Sequence, residues 1–453
     1  MVRLTRMAGV LLRRAGLRLM GEDRRRAFDL RLAWARGFIA SIESFDHPAW
    51  LYRSRHAIPA ANMCFREPRP VSEADLALCA RLLLAYERAQ ADAPRLGGMW
   101  SHAVFQERQR DLVEALDRGD VQPLAELLSS MFRADFVLGI APGSLGLVRV
   151  PRLARRFTEL AVTSKLVALA ESRGAARVEN PEQGAVGIAL HDGLATLMDA
   201  TEHALGISLD FPDVGAAYGL DAAGRLVTPD TPDQVYGAAR LCDALAVHIA
   251  QRDGPYSVVE IGAGYGGMAY WFLRMSDAAL RYTIVDLPVV NVLQGYFLAS
   301  ALGSDQVSFY GETPERIAVL PGHALDSIAP RCDALVNKDS FPEIPPDAAR
   351  EYLEWARSAC AGIFYSYNQE SATEFAGSAQ TVVAELIAET GGFTRLRRDP
   401  SWLRRGYVEE IYVATAATRA RHTSAQLSSP SRGEIGRLST VAASSSVMGS
   451  ASG

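Results

Sequence analysis

Residues 257–267 read SVVEIGAGYGG and lead straight into MAYWFLRM. Val258, Val259 and Ile261 suit a buried strand and the second stretch suits a helix, while Gly262, Gly264, Gly266 and Gly267 crowd the turn between them. A chain that passes this tightly from strand to helix does so with bare backbone, against which a ligand can lie directly. Twenty residues beyond Gly266, the stretch YTIVDL ends in Asp286. In a doubly wound sheet that strand lies beside the first, and its carboxylate can accept hydrogen bonds from both ribose hydroxyls of an adenosine.

The surrounding pattern agrees. VVEI, YTIVDL, VSFYG, DALVN, GIFYSY and EEIYVAT are strand-sized apolar stretches separated by helix-sized segments. They predict βαβ units and a doubly wound, mainly parallel, Rossmann-like sheet over residues 231–416. Residues 34–230 show apolar residues at three- and four-residue steps and predict a helical domain that covers the acceptor side and can serve dimerisation. Within it, Ser72 and Asp75 mark the start of the helix EADLALCARLLLAYERAQ, and Gly174 ends the helix ARRFTELAVTSKLVALAES. Residues 1–33 form a basic extension, and the Ser-rich residues 417–453 are expected to be disordered.

Composition narrows the class. With 49% hydrophobic and 22% charged residues and a net charge of -5, the chain is globular and has no electrostatic reason to bind nucleic acid. Cys64, Cys79, Cys242, Cys332 and Cys360 follow no regular spacing, so neither a disulfide framework nor a zinc site is expected, and a cytoplasmic location fits best. Near the N-terminus the apolar MAGVLL is cut off by Arg13 and Arg14, too short to span a membrane.

Two nucleotide ligands compete for the glycine turn. Gly262, Gly264 and Gly267 satisfy GxGxxG, so an NAD(P)-dependent oxidoreductase is one reading. Glu260, two residues before the first glycine, suits the amino group of S-adenosyl-L-methionine; a dinucleotide fold usually carries an apolar residue there. The helix start at Tyr265, Gly266 and Gly267 needs no pyrophosphate, and a large helical region precedes the turn. A third reading is a non-catalytic scaffold that keeps the fold, against which stand the intact Glu260, turn and Asp286. Further along, Gly311 and Glu312 end the stretch read as the third strand, at the adenine edge, where Glu312 can equally be a solvated loop residue. Asn337, Asp339, Ser340 and Glu343 follow the fourth strand, where the transferred group would lie. Asp339 can also be read as the N-cap of a short turn.

The chain resembles the sugar O-methyltransferase family of bacteria. The resemblance rests on VENPEQG, DFPDVG, VVEIGAGYGGMAYW, YTIVDLPVVNVLQGYFL, YGE, LVNKDSFPEI, YSYNQES and GYVEEIYV, over roughly residues 165–413. It implies a class I methyltransferase fold, S-adenosylmethionine as donor and a sugar hydroxyl as acceptor. By position it implies Glu260, Gly262, Gly264 and Asp286 at the cofactor, with Asp339 and Glu343 near the acceptor. Lys338 departs from the family pattern, which has glutamine there; the cation would suit a carboxylated acceptor or pair simply with Asp339.

A sugar hydroxyl is far less acidic than a carboxylic acid, so a positioned base must take its proton. Asp339 is the first candidate, with His191, Glu370 and Glu409 in reserve. Asp339, Glu343 and Glu370 are also the oxygen ligands a Mg2+ ion would need, although their spacing is no metal signature. Phe211 and Tyr218 are expected either in a lid over the acceptor or in simple packing.

Overall fold

The structure, a computed structural model, describes residues 62–415 apart from 92–102, 138–139, 141–151, 184–186, 250–254, 277–279, 328–331, 373 and 376–377. The basic extension and the Ser-rich tail lie outside these residues. The first half carries β1 (Asn62–Phe65), α1 (Glu73–Ala91), α2 (Ala103–Arg118), α3 (Val121–Ser129), α4 (Arg152–Ser172), α5 (Leu194–Leu205), β2 (Tyr218–Ala222) and β3 (Arg225–Val227). Ser72 caps α1 as its sequence requires: its hydroxyl accepts the Asp75 N–H at 3.2 Å, and the Asp75 carboxylate accepts the Ser72 N–H at 2.9 Å. The three strands form a small antiparallel sheet that the helical pattern conceals. Tyr218 lies in it, buried against Phe65 at 4.7 Å between ring centroids, and Phe211 is 1% exposed among Phe132, Tyr265 and Phe297, so both pack.

The second half runs α6 (Thr231–His248), β4 (Tyr256–Ile261), α7 (Gly267–Met275), β5 (Leu280–Asp286), α8 (Pro288–Leu302), β6 (Val307–Phe309), β7 (Ile317–Pro321), β8 (Cys332–Lys338), α9 (Pro346–Ala359), β9 (Cys360–Gln369), the pair β10 (Glu374–Phe375) and β11 (Ser378–Ala379), α10 (Val383–Thr390), β12 (Phe393–Pro400) and β13 (Tyr407–Ala414). Eight of these strands form one sheet in the order β12-β13-β9-β8-β4-β5-β7-β6. β13 alone runs against the rest, pairing antiparallel with both neighbours. Val258, Ile284 and Val336 pack with α6, α7 and α8, whereas Val259, Ile261, Val285 and Leu335 pack with α9 and α10. This is the doubly wound α/β sheet with a helical region before it that the sequence predicts. None of the described helices is long and apolar enough to cross a membrane.

The chain leaves β4 towards β5 and β7, then returns to β8 on the other side of β4. Such a switch opens a crevice beyond the carboxyl ends of the two strands, the usual ligand position in sheets of this kind. Two strands escape the sequence pattern. β7 is short and follows a turn without a helix, and β12 is mostly exposed, with Arg395, Arg397, Arg398 and Pro400 on its outer edge. Charge and proline on an edge strand keep it from pairing with other chains.

One glycine shows how closely β8 and β9 approach. Their register slips between Cys332 and Ala334, and a β-carbon on Gly362 would stand 1.8 Å from the Asp333 carbonyl oxygen. Gly362→Ala is therefore expected to destabilise the fold by about 1–3 kcal/mol or more, read as a drop of several degrees in thermal unfolding. An unchanged midpoint would contradict this close approach.

Candidate functional site

The glycine turn sits at the switch point because β4 ends there and its glycines take conformations other residues resist. Gly262 has φ +72° and Gly264 φ +59°. The Ser340 side chain, from the end of β8, fills the space where a Gly262 β-carbon would project, at 2.2 Å. A β-carbon on Gly264 would meet the Ile140 carbonyl oxygen at 2.8 Å, so the helical region closes over the turn. Tyr265 turns inward against Phe132, Phe211 and Phe297 and joins the two halves through an aromatic cluster.

Both carboxylates expected beside the turn are there. Asp286 ends β5 and accepts the N–H of Ala263 at 3.1 Å, that of Leu287 at 2.8 Å and the Gln294 amide at 2.7 Å, so turn and neighbouring strand are tied together. Burial pushes its carboxyl up to about 6 against these three donors. Glu260 is 1% exposed and accepts the Tyr282 hydroxyl at 2.8 Å. Burial raises it to about 7, helped by the Asp286 charge and opposed by Tyr282 and Lys338.

The end of β8 is held by amides and hydroxyls. Asn337 is fully buried; its amide donates to the Ile261 carbonyl at 3.0 Å and its oxygen accepts the Asn368 amide at 3.0 Å. Ser340 donates to the same Ile261 carbonyl at 2.9 Å. Asn337 thus joins β8 to β4 and β9. Asp339 follows with φ +66°, a left-handed conformation rare for a residue with a side chain. It is held there by Arg404 at 2.5 Å and Lys338 at 3.5 Å. Arg404 comes from the turn between β12 and β13 and lies 3.5 Å over the Tyr407 ring.

These partners change the assignment of roles. Burial raises the Asp339 carboxyl, but Arg404, Lys338 and the Tyr407 hydroxyl outweigh it and hold the group below its ordinary value, making it a weak base. Glu343, half-buried nearby, moves the other way: burial first, then the Asp339 and Asp286 charges, carry it to about 8 despite Arg404. Of the two acids that follow β8, Glu343 is the one raised towards neutral pH.

Four expectations need correction. Glu312 does not reach an adenine edge, because the strand beside β5 is β7; Glu312 follows the outer β6 and binds Arg81 at 2.9 and 2.8 Å. His191 is 82% exposed and pairs on the surface with Asp192. Glu370 is engaged by Arg398, at 2.7 Å through each oxygen. Glu409 is 2% exposed and binds Arg240 at 2.8 Å together with Tyr236, an internal bond between α6 and β13. Among the described residues no group of three or more His, Cys, Asp or Glu is arranged to hold a metal ion.

The sequence reading passed over other residues. His323, two residues beyond β7, has a buried Nε2 without a hydrogen-bond partner among the described residues, and its ring meets Tyr310 edge-on at 5.5 Å. Arg404 lies in a stretch without motif, so only the fold reveals it. Lys165 and Asp233 pair between α4 and α6, and Asp233 is 2% exposed with Oδ1 unpartnered.

No family model matches the chain, and no curated protein matches it. Solved structures similar to it include the mitomycin 7-O-methyltransferase MmcR, 15% identical over 75% of this chain and 94% of that one, with a TM-score of 0.32. Another is 1,6-didemethyltoxoflavin-N1-methyltransferase of Burkholderia thailandensis, with bound 1,6-didemethyltoxoflavin and S-adenosylhomocysteine, 20% identical over 40% and 78% of the two chains, with a TM-score of 0.29. A third is the N-terminal domain of EvdMO1 in the presence of S-adenosylhomocysteine and D-fucose, 12% identical over 43% and 89%, with a TM-score of 0.29. At these TM-scores the likenesses carry no argument about activity.

The raised Glu260 gives a pH-dependent outcome. Its folded-state value of about 7 lies above the ordinary 4.5, so the ionised form is penalised in the fold, increasingly as pH rises from about 4.5 and fully above about 7. Glu260→Gln keeps an oxygen for the Tyr282 hydroxyl and removes the charge. In the protein without added ligand, thermal midpoints of variant and wild type should be close at pH 4.5, with the variant higher by a few degrees at pH 8. A gap that narrows towards pH 8 would refute the burial of an ionisable Glu260.

Proposed function

We propose that the protein is an S-adenosylmethionine-dependent O-methyltransferase acting on a sugar hydroxyl of a glycan, nucleotide sugar or glycosylated natural product. The observation that carries this reading is the bare-backbone turn bracketed by two buried carboxylates, with Asp286 bonded to the turn itself through Ala263. The residues fit an adenosyl ligand: Asp286 can accept from the ribose hydroxyls, and the unpartnered Nε2 of His323 offers a bond to the base, one strand further along the sheet. The nicotinamide alternative is weakened by the sheet, since β13 is reversed where the dinucleotide fold continues parallel.

Bound here, S-adenosylmethionine supplies a methyl group on a sulfonium, which an oxygen nucleophile attacks in line. The chain's own part is to orient the acceptor and take its proton. Glu343 suits the proton transfer, because an acid near 8 is a stronger base than an ordinary carboxylate. Asp339, held below its ordinary value by its cationic neighbours, keeps Arg404 and Lys338 in position, and these cations can bind acceptor oxygens.

Calorimetry with S-adenosylhomocysteine and with NADH should give binding for the first and none for the second; the reverse result sinks the reading. Once mass spectrometry of a glycoside panel identifies an acceptor, kcat/KM should rise with pH through about 8, because Glu343 must lose its proton to act. Glu343→Gln should remove that limb and lower the rate by about 10²–10⁴-fold. Retention of the limb in the variant would take the base role from Glu343.

A further inference from the structure

Gly237 fixes the height of α6 against the sheet. A β-carbon there would lie 3.2 Å from the Met268 sulfur, in the first turn of α7, and 3.7 Å from Cδ of Lys338, the last residue of β8. At the other end of the helix, Ile249 approaches Gly362 near the start of β9. α6 therefore runs from the carboxyl edge of the sheet to its amino edge. Asp233, one turn before Gly237 on the same side of the helix, lies at the carboxyl edge of the sheet, where its charge acts on Arg404 and Tyr367.

Asp233 is 2% exposed, and among the described residues Oδ2 bonds Lys165 of the helical region while the buried Oδ1 has no partner. Leaving a carboxylate oxygen dry and unbonded is unfavourable, so a donor from outside the chain is expected there. The lysine beside it contributes the opposite charge. A cation and an anion side by side, each with bonding capacity to spare, match the two charges of an α-amino acid headgroup.

We propose that Asp233 and Lys165 bind the amino-acid end of the donor, Asp233 Oδ1 accepting from its ammonium and Lys165 donating to its carboxylate. This rests on the donor reading above and moves the ammonium away from Glu260, whose side chain is closed beneath the turn against Tyr282. It also makes the cofactor site composite: α4, in the helical region, completes what the sheet begins.

Calorimetry with two probes tests this on the full chain. S-Adenosylhomocysteine carries the headgroup and 5′-methylthioadenosine lacks it, while both carry the nucleoside. In Asp233→Asn the Kd for S-adenosylhomocysteine should rise about tenfold or more, and that for 5′-methylthioadenosine should stay within about twofold. Lys165→Gln, at a partly exposed position, keeps an amide donor for Asp233, should weaken the first probe alone and serves if Asp233→Asn does not fold. If wild type binds both probes and Lys165→Gln, with any folded Asp233→Asn, affects neither or both equally, the inference is overturned while the donor reading stands. If wild type binds neither probe, both fall together.

Discussion

Everything in the crevice depends on one seam, where the Ile261 carbonyl at the end of β4 receives both the Asn337 amide and the Ser340 hydroxyl from the end of β8. The seam can close only because Gly262 has no side chain in the space that Ser340 takes. The two strands, paired from Val258 to Ile261, are thereby locked at the point where the winding of the sheet reverses. The glycine turn, Asp286 and the strained Asp339 all take their positions from it. A glycine commonly explained by ligand access has a second reason here, since protein atoms fill its vacancy first.

The acids around the seam are divided by their partners. Asp339 is surrounded by cations and stays charged; Glu260, Asp286 and Glu343 have few or weaker partners and are raised by burial. Three reluctant carboxylates in one crevice lower the stability of the folded chain at neutral and higher pH, where each must ionise against its surroundings. Retaining them makes sense if a positively charged group belongs among them.

Much of this was legible in the residues. Strong alternation and glycine chemistry revealed β4, β5, β8 and β9, and spacing alone put Glu260 and Asp286 on either side of the turn. The third strand was misread because VSFYG follows a helix, as a parallel strand should, whereas Ile317–Pro321, which pairs with β5, follows a turn where a helix was expected. That error drew attention to Glu312, beside the outer β6, and away from His323, which follows the strand that pairs with β5. Arg404, Lys165 and Asp233 were invisible for another reason. Each comes from a segment whose sequence describes its own helix or turn, and their convergence is a property of the winding, which local pattern does not encode. Asp339 illustrates the limit within a motif: its position and its pairing with Lys338 were legible, but Arg404, which lies 65 residues away in sequence, was not.

The reversal of β13 has an evolutionary side. Because β12 ascends and β13 descends, the short connection Ser401–Gly406 emerges at the rim of the crevice and carries Arg404 into it, while half-exposed Trp402 faces outward. Both legs of this hairpin are pinned by sheet pairing, so the connection can change length or composition without disturbing the seam or the glycine turn. Variation confined to a handful of codons there would therefore reshape the rim while leaving the strands that hold the glycine turn in place.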